Sequence, residues 1–212
     1  MMSDHCSTEH KFFVGLDLGQ MQDYTALCVV ERERVTKRDL FKEEQTTEKL
    51  YSVRHIERFP LGTKYNDIAN HVRQLFKRPE LGRLPSLVVD ATGVGLSVVE
   101  MLRGVRLTSV TITGGDQVRY DGRRHWVPKR DLVGVMQVLL HTERLKIAKQ
   151  LKHAKTLTDE LLNFRIKVTD AGRDTYEAWR EGDHDDLVLS VALACWWGEN
   201  GAKFSFFGGV LD

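Results

Sequence analysis

The stretch FFVGLDLGQMQDYTALCVV, residues 12–30, most constrains what this chain can fold into. Its two apolar runs, Phe12 to Leu18 and Thr25 to Glu31, have the length and residue types of β-strands. The polar, Gly-containing GQMQDY between them suits a hairpin or a looser turn. One carboxylate, Asp17, stands in the first run, where a strand core is otherwise apolar. An isolated carboxylate buried without a partner costs several kcal/mol, so such an acid protonates, pairs with a cation or binds a metal. The rest of the chain has to supply that partner.

A charged segment follows. Residues 31–49, ERERVTKRDLFKEEQTTEK, are too polar for a core and read as strand extension plus exposed loop, before LYSVRHIERF returns to β character. Three antiparallel strands in a row are expected. From Lys64 to Lys77, apolar Ile68, Val72, Leu75 and Phe76 recur at helical spacing, with Asn66 or Asp67 near the cap. LPSLVVD is then a short buried strand ending in Asp90, Gly93 to Arg103 a helix carrying Leu96, Val99 and Leu102, and LTSVTIT another strand. This alternation signals an α/β unit with parallel strands. In GGDQVRYDGRRHWV an Asp-Gly turn predicts a small hairpin, and a helix from Lys129 or Arg130 to His141 follows. LKIA reads as a strand, Leu151 to Asn163 as a helix, and FRIKV and TYEAW as a further strand pair. The final DHDDLVLSVALACWW is apolar almost all round and predicts a buried helix.

With 212 residues, 42% hydrophobic and 29% charged, the chain suits one globular domain. The expected division is a disordered tail over residues 1–10, a folded domain over 11–200 and a second tail over 201–212. A net charge of +1 excludes a polybasic or strongly acidic chain, so any grip on a polyanion must come from local basic clusters. Cys6, Cys28 and Cys195 lack metal-ligand spacing, and the last two sit in apolar runs, which reads as buried thiols in a reducing compartment. No apolar signal core and no run of about 18 apolar residues is present, so a soluble, intracellular protein without membrane partners is expected.

Three acidic positions share one peculiarity: each lies at the edge of an apolar element. They are Asp17 in the first strand, Asp90 ending SLVVD, and the pair Asp185 and Asp186 opening the last helix. In a parallel α/β sheet, ligand sites form outside the carboxyl ends of the strands, which brings the first two toward one crevice. Convergent acids repel unless a cation sits among them. Oxygen-only ligands suit hard divalent ions such as Mg²⁺ or Mn²⁺. Two such ions about 4 Å apart activate a water and stabilise a leaving oxygen in phosphoryl displacement.

FVGLDLGQMQDYTAL, LVVDATGVG and above all YEAWREGDHDDLVLSVALACWW resemble, in that order, the nuclease domain of large terminase subunits from tailed bacteriophages. The similarity runs from Phe12 to Trp197. It implies a ribonuclease H-like fold of the RuvC-like superfamily: a central mixed sheet, three antiparallel strands plus parallel ones, flanked by helices. It further implies a metal-dependent endonuclease that cuts double-stranded DNA at the start and end of genome packaging, in the cytoplasm of an infected or prophage-carrying bacterium. Asp17 then matches the metal-bridging acid of the first strand, Asp90 the second acid, and Asp185 with Asp186 the pair at the last helix, Asp186 being the more direct ligand. His184, Asp183 and Lys129 are accessory candidates. An ATPase motor domain, a small terminase subunit and a portal are the partners this family implies. The chain itself lacks the G-x-x-x-x-G-K-[ST] phosphate loop of such a motor.

Structural readings stand beside these. Asp17 could pair with a buried Lys or Arg, while Asp90 and Asp185 could simply cap the helices that follow them. Arg119, Arg123, Arg124, Lys129 and Arg130, with Tyr120 and Trp126 interleaved, would grip phosphate and stack on bases, or form a solvated charged turn. Nothing resembles a base-reading motif. Rival functions are a structure-selective nuclease of the same fold (a Holliday-junction resolvase or a ribonuclease acting on hybrids), an actin-like ATPase or sugar kinase, and a non-catalytic DNA-binding or assembly module.

Overall fold

The computed structural model describes residues 5–19, 23–39, 44–82, 84–93, 95–122, 124–163 and 185–205. Three strands come first, β1 (His5–Asp17), β2 (Ala26–Asp39) and β3 (Glu44–Arg58), followed by α1 (Tyr65–Leu75). Next are β4 (Ser86–Asp90), α2 (Gly95–Met101) and β5 (Leu107–Thr113). The hairpin strands β6 (Arg119–Tyr120) and β7 (Arg124–Pro128) lead into α3 (Lys129–His141). Then come β8 (Leu145–Ile147), α4 (Ala154–Asn163) and α5 (Asp186–Ser205).

The strands form one mixed sheet in the order β6-β7-β5-β4-β1-β2-β3-β8. β1, β2 and β3 are antiparallel neighbours, whereas β4 joins β1, β5 joins β4 and β7 joins β5 in parallel. The expected α/β architecture, a mixed sheet with three antiparallel strands plus parallel ones, is therefore what these residues adopt. Helices cover both faces, and that explains why the strands read as continuous apolar runs. Phe13, Cys28, Val30 and Tyr51 pack with α3, α4 and α5 on one side. Val14, Leu16, Leu27 and Val29 pack with Ile68 and Val72 of α1 and Val98 of α2 on the other. Cys28 and Cys195 are buried free thiols, as their apolar surroundings suggest.

The antiparallel strands outrun their expected bounds. β1 begins at His5, inside the stretch 1–10 assigned to a tail, and β2 and β3 pair as far as Asp39 and Glu44, where exposed loop was expected. Among the described residues no helix covers this outer ribbon, and the strands there carry charge instead of apolar side chains, with Lys11, Arg32 and Arg34 gathered around Glu9. Polarity excluded a core but not a strand. FRIKV and TYEAW lie outside the described residues. The Asp-Gly turn is present: β6 and β7 are antiparallel, and Gly122 adopts φ +91°, a left-handed value that glycine accepts without strain.

α5 is the centre of the molecule. Leu187 to Cys195 are buried without interruption, in keeping with a helix apolar all round. Its far end is pinned by Arg32 Nη1 donating to the Gly198 carbonyl at 2.7 Å and by the Tyr51 hydroxyl donating to Glu199 Oε1 at 2.8 Å. Its middle crosses β1 at Gly15, where an added Cβ would stand 1.8 Å from the Ser190 carbonyl oxygen. Among the described residues no helix is long and apolar enough to cross a membrane.

Gly15→Ala is expected to lower stability by about 3 kcal/mol or more, because two backbones meet there and neither has a flexible side chain to yield. Urea unfolding followed by circular dichroism measures it; an unchanged midpoint would contradict the close contact.

Candidate active site at the carboxyl edge of the sheet

Parallel pairing brings several strand ends to one edge. Leu16 is level with Val89, so Asp17 and Asp90, which terminate β1 and β4, leave neighbouring strands side by side. Neighbouring strands lie about 4.8 Å apart. Asp17 also faces Ala26, which faces Arg58 at the end of β3, so a row of three runs across the antiparallel strands. Lys129 opens α3 directly after β7, and α5 brings Asp185 and Asp186. The Asp185 carbonyl accepts the Leu189 N–H at 2.8 Å, which makes Asp185 the residue at the threshold of the helix.

The electrostatics show that these acids share one field. The Asp17 carboxyl is held well above the usual carboxylate range, first by desolvation and then by the negative charges of Asp90, Asp185 and Asp186, with Lys129 acting in the opposite sense. Asp17 keeps a margin of solvent access, yet protein atoms surround it densely enough for desolvation to lead. The bland reading of Asp17 as one half of an ion pair does not describe this setting: its strongest charged neighbours are other acids. Asp90 does have a local use, since its Oδ1 accepts the Thr92 N–H at 2.8 Å in the turn after β4.

Among the described residues two cations attend the cluster. Lys129 Nζ lies 3.2 Å from Asp185 Oδ2. Arg58 makes a two-pronged contact with Asp186, Nε to Oδ2 at 2.7 Å and Nη2 to Oδ1 at 3.0 Å. The same Nη2 donates to Glu160 Oε1, and the guanidinium lies 4.9 Å from the Tyr24 ring centroid. Glu160, on α4, accepts the Val188 N–H through Oε2 at 3.2 Å, so it caps α5 from a neighbouring helix. Burial, then the charge of Asp186, raise its carboxyl to about 7 despite the opposing pull of Arg58. Among the described residues no three acid, His or Cys side chains stand close enough to form a ready metal cage. Asp186 is turned onto Arg58 and Asp185 onto Lys129.

Other candidate residues separate. Lys129, with 11% side-chain exposure, belongs to this edge, apart from the exposed hairpin. Arg119 and Arg124 each lie 5.9 Å from the Trp126 ring centroid, Tyr120 stacks on His125 at 4.3 Å, and Arg130 pairs with Asp116 at 2.8 Å. Arg123, Asp183 and His184 lie outside the described residues. Sequence reasoning missed Arg58 and Glu160. Glu160 did leave a signal, a charge three residues after buried Leu157 and beside Leu161 on the helix stripe that packs into the core. Arg58 left none, because its place depends on register across three strands.

The chain aligns with the large terminase subunits of Thermus phage G20c and Thermus virus P23-45, at 25% identity over 200 residues in each case. It is similar to terminase large subunits. The alignments cover 92% of this chain and 34% of each relative, so the chain spans about a third of the length of the curated relatives it matches. No protein-family model and no solved structure matches it.

Asp17 and Glu160 both hold protons more tightly in the folded chain than an exposed acid does. These two groups therefore contribute a stability term that is fully present below the ordinary carboxylate range and is lost as pH rises, for Glu160 from about 4.5 through 7. Asp17→Asn is expected to raise the metal-free melting temperature at pH 7 by about 2–4 °C, what roughly 1 kcal/mol brings in a chain of this size, and to lose that advantage near pH 4. Scanning calorimetry at both pH values measures it.

Proposed function

We propose that this chain is a terminase-related, metal-dependent endonuclease with a ribonuclease H-like fold, acting on double-stranded DNA. The observation that carries the reading is the field at Asp17, where Asp90, Asp185 and Asp186 together outweigh Lys129. Four carboxylates collected at one strand edge are unfavourable by themselves and suit a site built for divalent metal. The donor set is oxygen only, which fits Mg²⁺ or Mn²⁺ and disfavours softer ions. Similarity to terminase large subunits over 92% of the chain supports the same reading from an independent direction.

In this proposal Asp17, Asp90 and Asp186 hold the ions, two being the expected number, with Asp185 close behind. When bound, such ions supply an activated water and neutralise the oxygens of the phosphodiester under attack. The chain's own residues do the rest. β1 and β4 fix Asp17 and Asp90 on rigid strand ends, and α5 supplies Asp186 from its first turn. Lys129 holds Asp185 and places a positive charge where a phosphate would approach. On the neighbouring hairpin Arg119 and Arg124 share the Trp126 ring, a basic and aromatic surface suited to backbone phosphates without base reading. An ATPase motor, a small terminase subunit and a portal are the proposed partners, and the cytoplasm of an infected or prophage-carrying bacterium the proposed setting.

Asp17→Asn is expected to reduce cleavage in Mg²⁺ or Mn²⁺ by about a hundredfold to a thousandfold while the protein stays folded. Linear duplex, four-way junction and RNA–DNA hybrid are offered to the same preparation, and linear duplex is expected to be cut. Undiminished cleavage by the variant would overturn the assignment, and preference for the junction or the hybrid would replace the substrate. Replacing Arg119 and Arg124 together by Ser is expected to weaken duplex binding and reduce its salt slope by about 2; fluorescence anisotropy in Ca²⁺ across a salt series measures it.

A further inference from the structure

Arg58 is held at the acid edge by several groups at once. Each oxygen of Asp186 receives one of its N–H groups, its Nη2 also reaches Glu160, and its face lies over Tyr24. The side chains of Arg58, Glu160 and Asp186 are 16%, 9% and 8% exposed, so water does little to loosen the group. A guanidinium cannot step aside by losing its proton, because it stays charged at any pH a folded protein meets. To release Asp186 it needs a second carboxylate within reach. Glu160 is already in contact, and its other oxygen is fixed by the Val188 N–H at the first turn of α5.

We propose that Arg58 is a positioning residue that holds Asp186 in the metal-free chain, hands it over when a divalent cation enters, and rests on Glu160 afterwards. The proposal builds on the metal-dependent reading above. It accounts for two facts together: the acids share one field, yet among the described residues no three of them form a ready cage. Asp186 is kept on Arg58, aimed and neutralised, until something of higher charge competes for it. Lys129 offers a contrast, since its ammonium meets Asp185 at 3.2 Å without a planar fork.

The test measures Mn²⁺ affinity of the whole chain, without DNA, by electron paramagnetic resonance of free Mn²⁺. Arg58→Lys keeps the charge and loses the fork, and it is expected to bind Mn²⁺ about tenfold more tightly than the parent chain. A pure charge effect would leave the affinity unchanged. Glu160→Gln keeps the cap on Val188 and removes the resting carboxylate, and it is expected to bind Mn²⁺ about tenfold more weakly. In the parent chain the Arg58 Nε–Hε signal, identified by its loss in Arg58→Lys, is expected to shift during a Mg²⁺ titration. Equal or weaker binding by Arg58→Lys, or an Arg58 signal unmoved at saturating Mg²⁺, overturns the exchange and leaves the nuclease reading standing. Absence of Mn²⁺ binding to the parent chain overturns both. Should Arg58→Lys fail to fold, Arg58→Gln replaces it to identify the signal, and Glu160→Gln with the titration decides.

Discussion

The close seating of α5 on β1 is the contact on which the rest of the molecule depends. A helix carrying side chains on all sides normally keeps a layer of them between itself and a sheet, but at Gly15 that layer is missing and the Ser190 carbonyl comes down onto the strand. The seating fixes where the helix begins. Asp185 and Asp186 therefore arrive beside Asp17 as a consequence of packing five residues further along the helix. Arg32 and Tyr51 hold the other end through Gly198 and Glu199, so the helix cannot slide along its axis.

Much of this was legible in the sequence. Continuous apolar runs at Phe12 to Leu18 and in SLVVD marked buried strands, the alternation after Lys64 marked the parallel part of the sheet, and the all-round apolarity of DLVLSVALACWW marked the central helix. The three acidic positions could be named because each lies at the edge of an apolar element, and the structure brings them to one edge of the sheet. Two features were not legible. The extent of β1, β2 and β3 was hidden because the outer ribbon, which among the described residues no helix covers, is polar, and polarity alone resembles loop. The Arg58 contact was hidden because it depends on pairing register, which a β-bulge between Val29 and Val30 shifts by one residue. A one-residue shift alone decides which side chain ends β3 on the acid side.

The acid edge also shows how a chain tolerates like charges at close range. Raised proton affinity at Asp17 and Glu160, a guanidinium shared between Asp186 and Glu160, and an ammonium on Asp185 each remove part of the repulsion. None of these devices cancels the others. The cluster persists in the fold because several partial compensations act on it at once.

The outer ribbon of β1 to β3 bears on how molecules of this chain behave toward one another. β4 pairs only with Phe13 to Leu16 of β1, so among the described residues the edge from His5 to Phe12 has backbone groups directed outward with no strand beside them. Such an edge is a template for adding a strand from another copy. Lys11, Glu9 and His10, together with Arg34 across the pair, place charges of both signs there, and an incoming strand would have to strip them of water before it could hydrogen-bond. The polarity that made this segment look like loop opposes strand addition along this edge.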